Sequence, residues 1–262
     1  MDWGYSLSGL IVGLIVGMTG VGGGSLMTPL LVTVFGISPA TAVGTDLLYA
    51  AVTKAGGVWV HGRRGHVDWT LVGRLATGSI PAAILTVAAL GLLGVKSKHF
   101  STVVMAALGA ALILTALALL FRERLTRLAR SRGEWLGGPD SAARHRLTVV
   151  IGAVLGILVA ISSVGAGALG VVALVLLYPK LSAVRIVGCD IAHAVPLTLA
   201  AGLGHFALGT VDFTLLGSLL LGSLPGIYIG SHISAKIPER LLRRMLAVLL
   251  VAIGGKLMAM AV

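Results

Sequence analysis

Apolar runs separated by short polar turns decide what this chain can fold into. Runs of about 20 residues recur along the 262-residue chain, and about 20 apolar residues are needed for a helix to cross a bilayer. Hydrophobic residues make up 57% of the chain and charged residues 11%, whereas roughly a quarter of an average soluble domain is charged. The sequence therefore predicts an all-α, polytopic protein of the cell membrane, in contact with membrane lipid.

Two of the apolar units contain a glycine-rich break. The first break reads TGVGGGS at residues 19–25, and the second reads SSVGAGA at residues 162–168. Glycine is costly inside a helix, so each break is expected to end one helix and start another. The arms on either side have about 10 to 12 residues, which is roughly 15–18 Å of helix and half of a bilayer core. Each unit is therefore predicted to be a re-entrant helical hairpin.

The second half of the chain repeats the first at an offset of about 144 residues. The matching positions share glycine, aspartate, histidine or proline, and all of them fall at an offset of 143 or 144 residues. They are Val21-Gly22-Gly23-Gly24 with Val164-Gly165-Ala166-Gly167, Gly44-Thr45-Asp46 with Gly188-Cys189-Asp190, His61 with His205, Val67-Asp68 with Val211-Asp212, and Gly78-Ser79-Ile80-Pro81 with Gly222-Ser223-Leu224-Pro225. Weak internal repeats with interrupted helices are typical of secondary transporters.

The charged turns predict the orientation of the two halves. We divide the chain into a first repeat at 1–121, an Arg-rich cytoplasmic linker at 122–146, and a second repeat at 147–262. Hairpin units followed by three spans each place nearly all basic turns on the side of the linker, as the positive-inside rule requires; only Lys96 and Lys98 fall on the other side. Because three is odd, the two repeats are predicted to be inverted, with both termini outside.

The breaks are the predicted substrate site. A broken helix at membrane depth exposes backbone N–H groups that lipid cannot satisfy, and the start of a helix attracts anions. We therefore expect a small anion to bind between the two hairpin tips at the midplane. The predicted binding residues lie in the breaks or beside the two span carboxylates: Gly22, Gly23, Gly24, Ser25, Thr45, Asp46, Gly165, Ala166, Gly167, Ala168, Cys189 and Asp190.

Asp46 and Asp190 each lie seven or eight residues into a predicted span. A carboxylate at that depth is expensive and suggests a function. A working role beside an anion requires a protonated Asp, which suggests proton coupling. The structural alternatives are that each Asp caps N–H groups of a hairpin, or that Asp46 pairs with Lys54. Thr45 and Cys189 could donate hydrogen bonds to an oxyanion or simply be small residues at helix contacts.

Other functions receive less support from the residues. Cys189 and His193 are four residues apart, like a nucleophile pair, but no third group orients them, so we expect no enzyme. The Gly165–Gly170 stretch matches G-x-G-x-x-G without the strand that a dinucleotide site requires. The formal charge of +11 lies mainly in turns and is not interleaved with aromatics, which argues against nucleic acid. We expect no cofactor, and the sequence leaves a homodimer open.

These motifs resemble the TauE/SafE family over essentially the whole chain. The resemblance is carried by the glycine-rich hairpin, by Ala42-Val43-Gly44-Thr45-Asp46 after it, and by the repeated Val-Gly-Ala-Gly and Gly-Cys-Asp. It implies a cytoplasmic-membrane exporter of sulfite or small organosulfonates, with the family's glycines at Gly22, Gly23, Gly24, Gly165 and Gly167. This chain departs from many members in having Asp46 and Asp190 where those often have Ser.

A rival interpretation of the same residues is a cation carrier. It would use Asp46, Asp190 and His193 as ligands for a metal ion, Na⁺ or a proton, and it predicts that the Asp→Asn variants lose that binding. The resemblance implies sulfite as the substrate, whereas the residues alone indicate only a small anion.

Overall fold

The structure is a computed structural model that describes residues 3–19, 24–94, 97–131, 141–233 and 239–261, and every regular element within these ranges is an α-helix. The helices in chain order are α1 Trp3–Thr19, α2 Gly24–Thr33, α3 Pro39–Arg63, α4 Trp69–Leu92, α5 Lys98–Ser131, α6 Ala142–Ser162, α7 Ala168–Leu177, α8 Ala183–Ala207, α9 Phe213–Ile233 and α10 Glu239–Ala261. The prediction of an all-α membrane protein is confirmed.

Six of the described helices are long and apolar enough to cross a membrane, namely α4, α5, α6, α8, α9 and α10. This set differs from the predicted spans because it includes α6 and omits α3. The first arms of the two broken units, α1 and α6, have 17 and 21 residues, longer than the 10 to 12 expected. α3 has 25 residues but carries Asp46 and Lys54 within them. The first ten residues of the predicted linker continue α5 as helix.

Helices of different halves pack closely against each other along faces that are lined with glycine residues. On α1, Gly9 and Gly17 lie against the backbone of Leu219 and Ile227 of α9, so these two helices run parallel. Gly13 lies between them on the same face, against α9 as well. Small residues allow helix backbones to approach closely where lipid offers no hydrophobic driving force. The first arm of the first half is therefore packed on a long helix of the second half.

The equivalent contact recurs on the other side of the molecule. Gly152 and Gly156 of α6 lie against the backbone of Leu75 and Ser79 of α4, which makes α6 and α4 parallel. α4 also runs parallel to α8, since Ser79 bonds His193 and Gly91 lies against Leu208. The two halves are thus interlocked: each contributes one arm to a helix pair with the other.

The central pair is α3 and α8, which occupy equivalent places in the two halves. Gly202 lies against Leu48, and Gly57 lies against Ile191, so α3 and α8 are antiparallel. Each of them also packs along the short helix that precedes it, α2 along α3 and α7 along α8. The short helices that follow the two breaks are consequently positioned against this central antiparallel pair.

Candidate functional site

The second break is a short non-helical segment with three residues at positive φ. Ser163 has φ 57°, Gly165 has φ 129° and Gly167 has φ 141° before α7 begins at Ala168. Only glycine adopts the last two conformations readily, which explains the spacing of the glycines. Gly167 has no side chain to cap α7, so the first N–H groups of that helix depend on other partners.

Asp190 lies directly against this helix start. Asp190 is 3% exposed. Its Oδ1 occupies the space that a Cβ atom on Gly170 would need, and the backbone amide of Gly167 lies beside the carboxylate. Oδ1 nevertheless has no hydrogen-bond partner. Since buried polar atoms are normally paired, this oxygen is a candidate for contact with a ligand.

Lys54 reaches the same break from α3. Its Nζ donates a 2.8 Å hydrogen bond to the carbonyl oxygen of Ala166, and its charge interacts with Asp190 and, more weakly, with Asp46. The Ala166–Gly167 peptide group therefore stands between a cation on its carbonyl side and a carboxylate on its amide side. This arrangement aligns the dipole of the peptide group with the two charges.

A cavity of about 310 Å³ opens beside this group. Its polar lining is contributed by the end of α1, the last turn of α3, the C-terminal third of α5, the start of α7 and Asp190 of α8. The lining residues are Thr19, His61, Leu119, Arg122, Gly167, Ala168, Val171, Val172, Ala183, Val184, Val187, Asp190 and Ile191. Because His61 lies in the last turn of α3 and Arg122 begins the Arg-rich C-terminal part of α5, the cavity faces the Arg-rich side of the molecule.

The first break makes different contacts from the second. Gly22 and Gly23 lie outside the described residues, whereas Gly24 and Ser25 begin α2 and are buried. Gly24 lies against the backbone and hydroxyl of Ser163, so the two breaks meet where α2 begins. Among the described residues, Gly24 of the first break and Ser163 of the second break therefore contact each other.

Asp46 is held by this first unit. Its side chain is 0% exposed, and its Oδ2 accepts a 2.5 Å hydrogen bond from the Thr28 hydroxyl of α2, while Oδ1 has no partner. No ion pair joins Asp46 to Lys54, although both residues are described, because Lys54 instead bonds Ala166. The structural alternative of an Asp46–Lys54 pair is therefore not realised.

The two carboxylates are far apart along the central pair. Asp190 precedes Ile191, which lies against Gly57, so Asp190 is level with the C-terminal part of α3. Asp46 is eleven residues before Gly57, or roughly 16 Å at about 1.5 Å per residue. Lys54 is much nearer the level of Asp190. The structure thus does not bring the two carboxylates into one cluster.

Thr45 and Cys189 hold the turns that follow the central helices of the opposite half. The Thr45 hydroxyl accepts from the Asp212 amide at 3.0 Å, and the Cys189 Sγ accepts from the Asp68 amide at 3.2 Å. Asp212 and Asp68 each precede a long helix, α9 and α4. The small-residue alternative describes these two positions better than contact with substrate does.

Two further polar pairs of positions face each other across the halves. His193 Nε2 bonds the Ser79 hydroxyl at 2.7 Å. Tyr49 occupies the equivalent place near Ser223, but neither of these two hydroxyls has a hydrogen-bond partner in the part of the chain that the structure describes. Among the described residues, no group of three His, Cys, Asp or Glu could hold a metal ion. Asp46, Asp190 and His193 therefore do not assemble into the ligand set of the cation-carrier interpretation.

Sequence reasoning overlooked two contributors to the breaks. Lys54 entered it only as a partner for Asp46, although a lysine within a predicted span was a sufficient signal on its own. Thr28 carries no such signal, because a threonine in an apolar helix is common and its partner is 18 residues away.

Comparison with known proteins identifies the relatives of the chain. The family model described as "Sulfite exporter TauE/SafE" matches residues 5–257. The probable membrane transporter protein YjnA of Bacillus subtilis (strain 168) is 43% identical over 251 residues, which cover 96% of this chain and 97% of that protein. The probable membrane transporter protein YdhB of the same organism is 27% identical over 89% of this chain and 90% of its own length. No solved structure matches the chain.

Proposed function

The chain belongs to the sulfite exporter TauE/SafE family and is a membrane transporter, and from that premise we propose that it exports a small oxyanion, sulfite or a related organosulfur anion. One observation carries the proposal. The start of α7 at Gly167 and Ala168, which has no N-cap side chain, lines the cavity, and Lys54 bonds the carbonyl of Ala166 just before it. A helix start and a nearby cation are both favourable to an anion.

The proposed fold is a pair of inverted repeats, each with a re-entrant hairpin and three spans. The antiparallel packing of the equivalent helices α3 and α8 supports the inversion. The hairpins are supported by helix directions. α6 is parallel to α4, which is parallel to α8, whereas α7 connects to α8 by a short turn and packs back along it. α6 and α7 are then antiparallel, and the chain reverses at the second break.

We propose transport by alternating access, and the interlocked packing restricts how it can proceed. Neither half can rock as a unit without breaking the glycine contacts between α1 and α9 or between α6 and α4. The moving bodies are therefore these mixed pairs, each carrying one break, against the central α3–α8 pair. The cavity on the Arg-rich side corresponds to an inward-facing state, since that side is cytoplasmic by the positive-inside rule.

A carboxylate at the site requires a proton when an anion binds, so we propose proton-coupled transport through Asp190. An ionised Asp190 repels the anion and competes with it for the Gly167 amide, whereas a protonated one does neither. Asp46 is held by Thr28 outside the cavity lining and is assigned a structural role. Flux should therefore rise with acidity on the side of anion entry.

The experiment is sulfite flux in proteoliposomes with and without a pH gradient. We expect saturable sulfite flux that the gradient stimulates in the natural protein and not in the Asp190→Asn variant. Sulfate, Na⁺ and Zn²⁺ are the comparison solutes, because the rival cation carrier is favoured by one observation, the unpartnered oxygen of Asp190, a residue of the cavity lining. Flux of a cation without any flux of sulfite would overturn the proposal.

A further inference from the structure

The two breaks differ in the charge that accompanies them. Lys54 bonds the second break, and its equivalent in the second half is Thr198. The Thr198 hydroxyl bonds the carbonyl of Ala194 in its own helix and carries no charge. The Thr28 that bonds Asp46 is likewise replaced by Val172 in the second half. The halves have therefore diverged, so that one Asp is held by a neutral hydroxyl and the other lies near a lysine.

We propose that the anion binds at the second break alone, that Lys54 is its cationic ligand, and that the unpartnered Asp190 Oδ1 selects an oxyanion that carries a proton. This inference rests on the proposed function and assigns its substrate class. It replaces a symmetrical site shared by both tips with a site on one of them.

The first step concerns the donors. Lys54 Nζ has three hydrogens, and the structure shows one of them bonded to Ala166. The first N–H groups of α7 lie at the cavity wall beside Gly167 and Ala168. An oxyanion in the cavity can accept from this helix start and, with a small rotation of the lysine side chain, from Nζ. Charge-assisted bonds of this kind are the strong ones.

The second step concerns the acceptor. Asp190 is a lining residue of a cavity that otherwise offers donors, and its buried Oδ1, against Gly170, lacks a hydrogen-bond partner among the residues that the structure describes. An anion with no proton would meet an oxygen that repels it, whereas hydrogen sulfite can donate a hydrogen bond to that oxygen. A site with both donors and an acceptor distinguishes a protonated oxyanion from an ion of equal charge without a proton, because unpaired buried groups are costly.

Charged and titratable groups surround Asp190 on several packed elements. They are Lys54 and His61 on α3, Arg122 on α5, His193 and Arg185 on α8 itself, Asp68 before α4, and Asp46 farther along α3. Lys54 acts on Asp190 directly as a counter-charge. One lysine therefore stands against one carboxylate at the second break, and Arg122 adds a positive charge elsewhere on the cavity wall, which favours an anionic substrate.

The test is competition for sulfite counterflow in proteoliposomes at mildly acidic pH, where sulfite is mainly hydrogen sulfite. Methanesulfonate is the matched competitor, since it has the same single charge and no acidic proton. The natural protein should prefer sulfite over methanesulfonate by about tenfold or more, the ratio expected for one lost charge-assisted hydrogen bond. Equal competition by methanesulfonate would refute the selective role of Asp190 without any variant.

Variants test the residue assignments. Lys54→Met and Lys54→Gln should weaken sulfite binding about tenfold or more, and Lys54→Arg should restore most of it. Thr198→Val, at the equivalent position, should have no effect. Asp190→Asn should reduce the preference over methanesulfonate, because its amide oxygen is a weaker acceptor than a carboxylate, and Asp190→Ala should abolish it, whereas Asp46→Asn should keep it. Monodisperse elution in detergent verifies that each variant is folded.

The outcomes separate this inference from the function beneath it. Natural protein that moves none of these anions would refute the proposed function. Natural protein that moves sulfite, together with neutral Lys54 variants of unchanged affinity, would refute only the assignment of Lys54. Loss of the preference in Asp46→Asn instead of Asp190→Asn would move the site to the first break.

Discussion

Asp46 and Thr28 form a buried pair that should stabilise the fold without contacting substrate. Both residues are 0% exposed, and the Thr28 hydroxyl donates a hydrogen bond to Asp46 Oδ2. Thr28→Val keeps the shape and removes that donor. We expect a loss of about 1–3 kcal/mol in the free energy of unfolding, measured by thermal unfolding in detergent.

The control is Thr33→Val in the same helix, because the Thr33 hydroxyl bonds only the Pro29 carbonyl one turn earlier. In an Asp46→Asn background the effect of Thr28→Val should shrink, since a neutral amide is less costly to leave unpaired. Equal losses for Thr28→Val and Thr33→Val would show that the pair does not contribute in this way.

Residue patterns alone predicted which side chains within the apolar runs are unusual, but they did not predict what those side chains contact. Charges within apolar runs identified Asp46 and Asp190. The different surroundings of the two depend on the register between α3 and α8, which no local pattern encodes. Thr45 and Cys189 show the same limit, since their partners are backbone amides 167 and 121 residues away.

At the scale of elements, the helix pairs α1–α9 and α4–α6 should tolerate no side chain at their closest contacts. Gly222 lies against the backbone of Ser6, and Gly78 against that of Val149, at distances that a Cβ cannot occupy. Gly222→Leu and Gly78→Leu should each destabilise the protein by about 1–3 kcal/mol or more through overpacking. The readout is the melting temperature and the folded fraction in detergent.

Gly73 and Gly217 provide matched controls on the same two helices. They are equivalent positions in the two halves, and no other atom lies near either of them. Leu at these sites should be neutral or slightly stabilising, because it replaces a poor helix former with a good one. If Leu at Gly73 and Gly78 were equally harmful, the close helix contact would not be the cause.

The second glycine-rich break predicted the helix ends correctly, since α6 ends at Ser162 and α7 begins at Ala168. The lengths of the first arms were underestimated, because the arms were measured as purely apolar segments. Trp3 to Ser6 and Ala142 to Arg146 extend the helices into polar sequence. Polar residues at the ends of a membrane helix are compatible with the helix, so hydropathy marks the lipid-facing part and not the whole element.

At the scale of the molecule, the internal repeat predicts which segments of the two halves are equivalent, but it does not predict that the halves interlock. A repeat shows which segments are equivalent but not which of them pair, and the sequence division at 122–146 suggests two separate bodies. The contacts of α1 with α9 and of α6 with α4 cross that division. Each half therefore depends on the other for its packing, because the glycine-lined faces of α1 and α6 are covered by helices of the opposite half.

The proposed inversion places the two short turns after α2 and α7 on opposite sides of the membrane. Cys189 is the single cysteine of the chain, and Cys189→Thr gives a cysteine-free background with the residue that the equivalent position, Thr45, already has. Val34 and Lys180 are exposed in the two turns. In intact cells, a membrane-impermeant maleimide should label a Val34→Cys variant, and it should label a Lys180→Cys variant only after the membrane is opened. A Lys180→Cys variant that is labelled in intact cells would mean that the second broken unit crosses the membrane, which would place Lys180 and the basic turns that follow it outside, against the positive-inside rule.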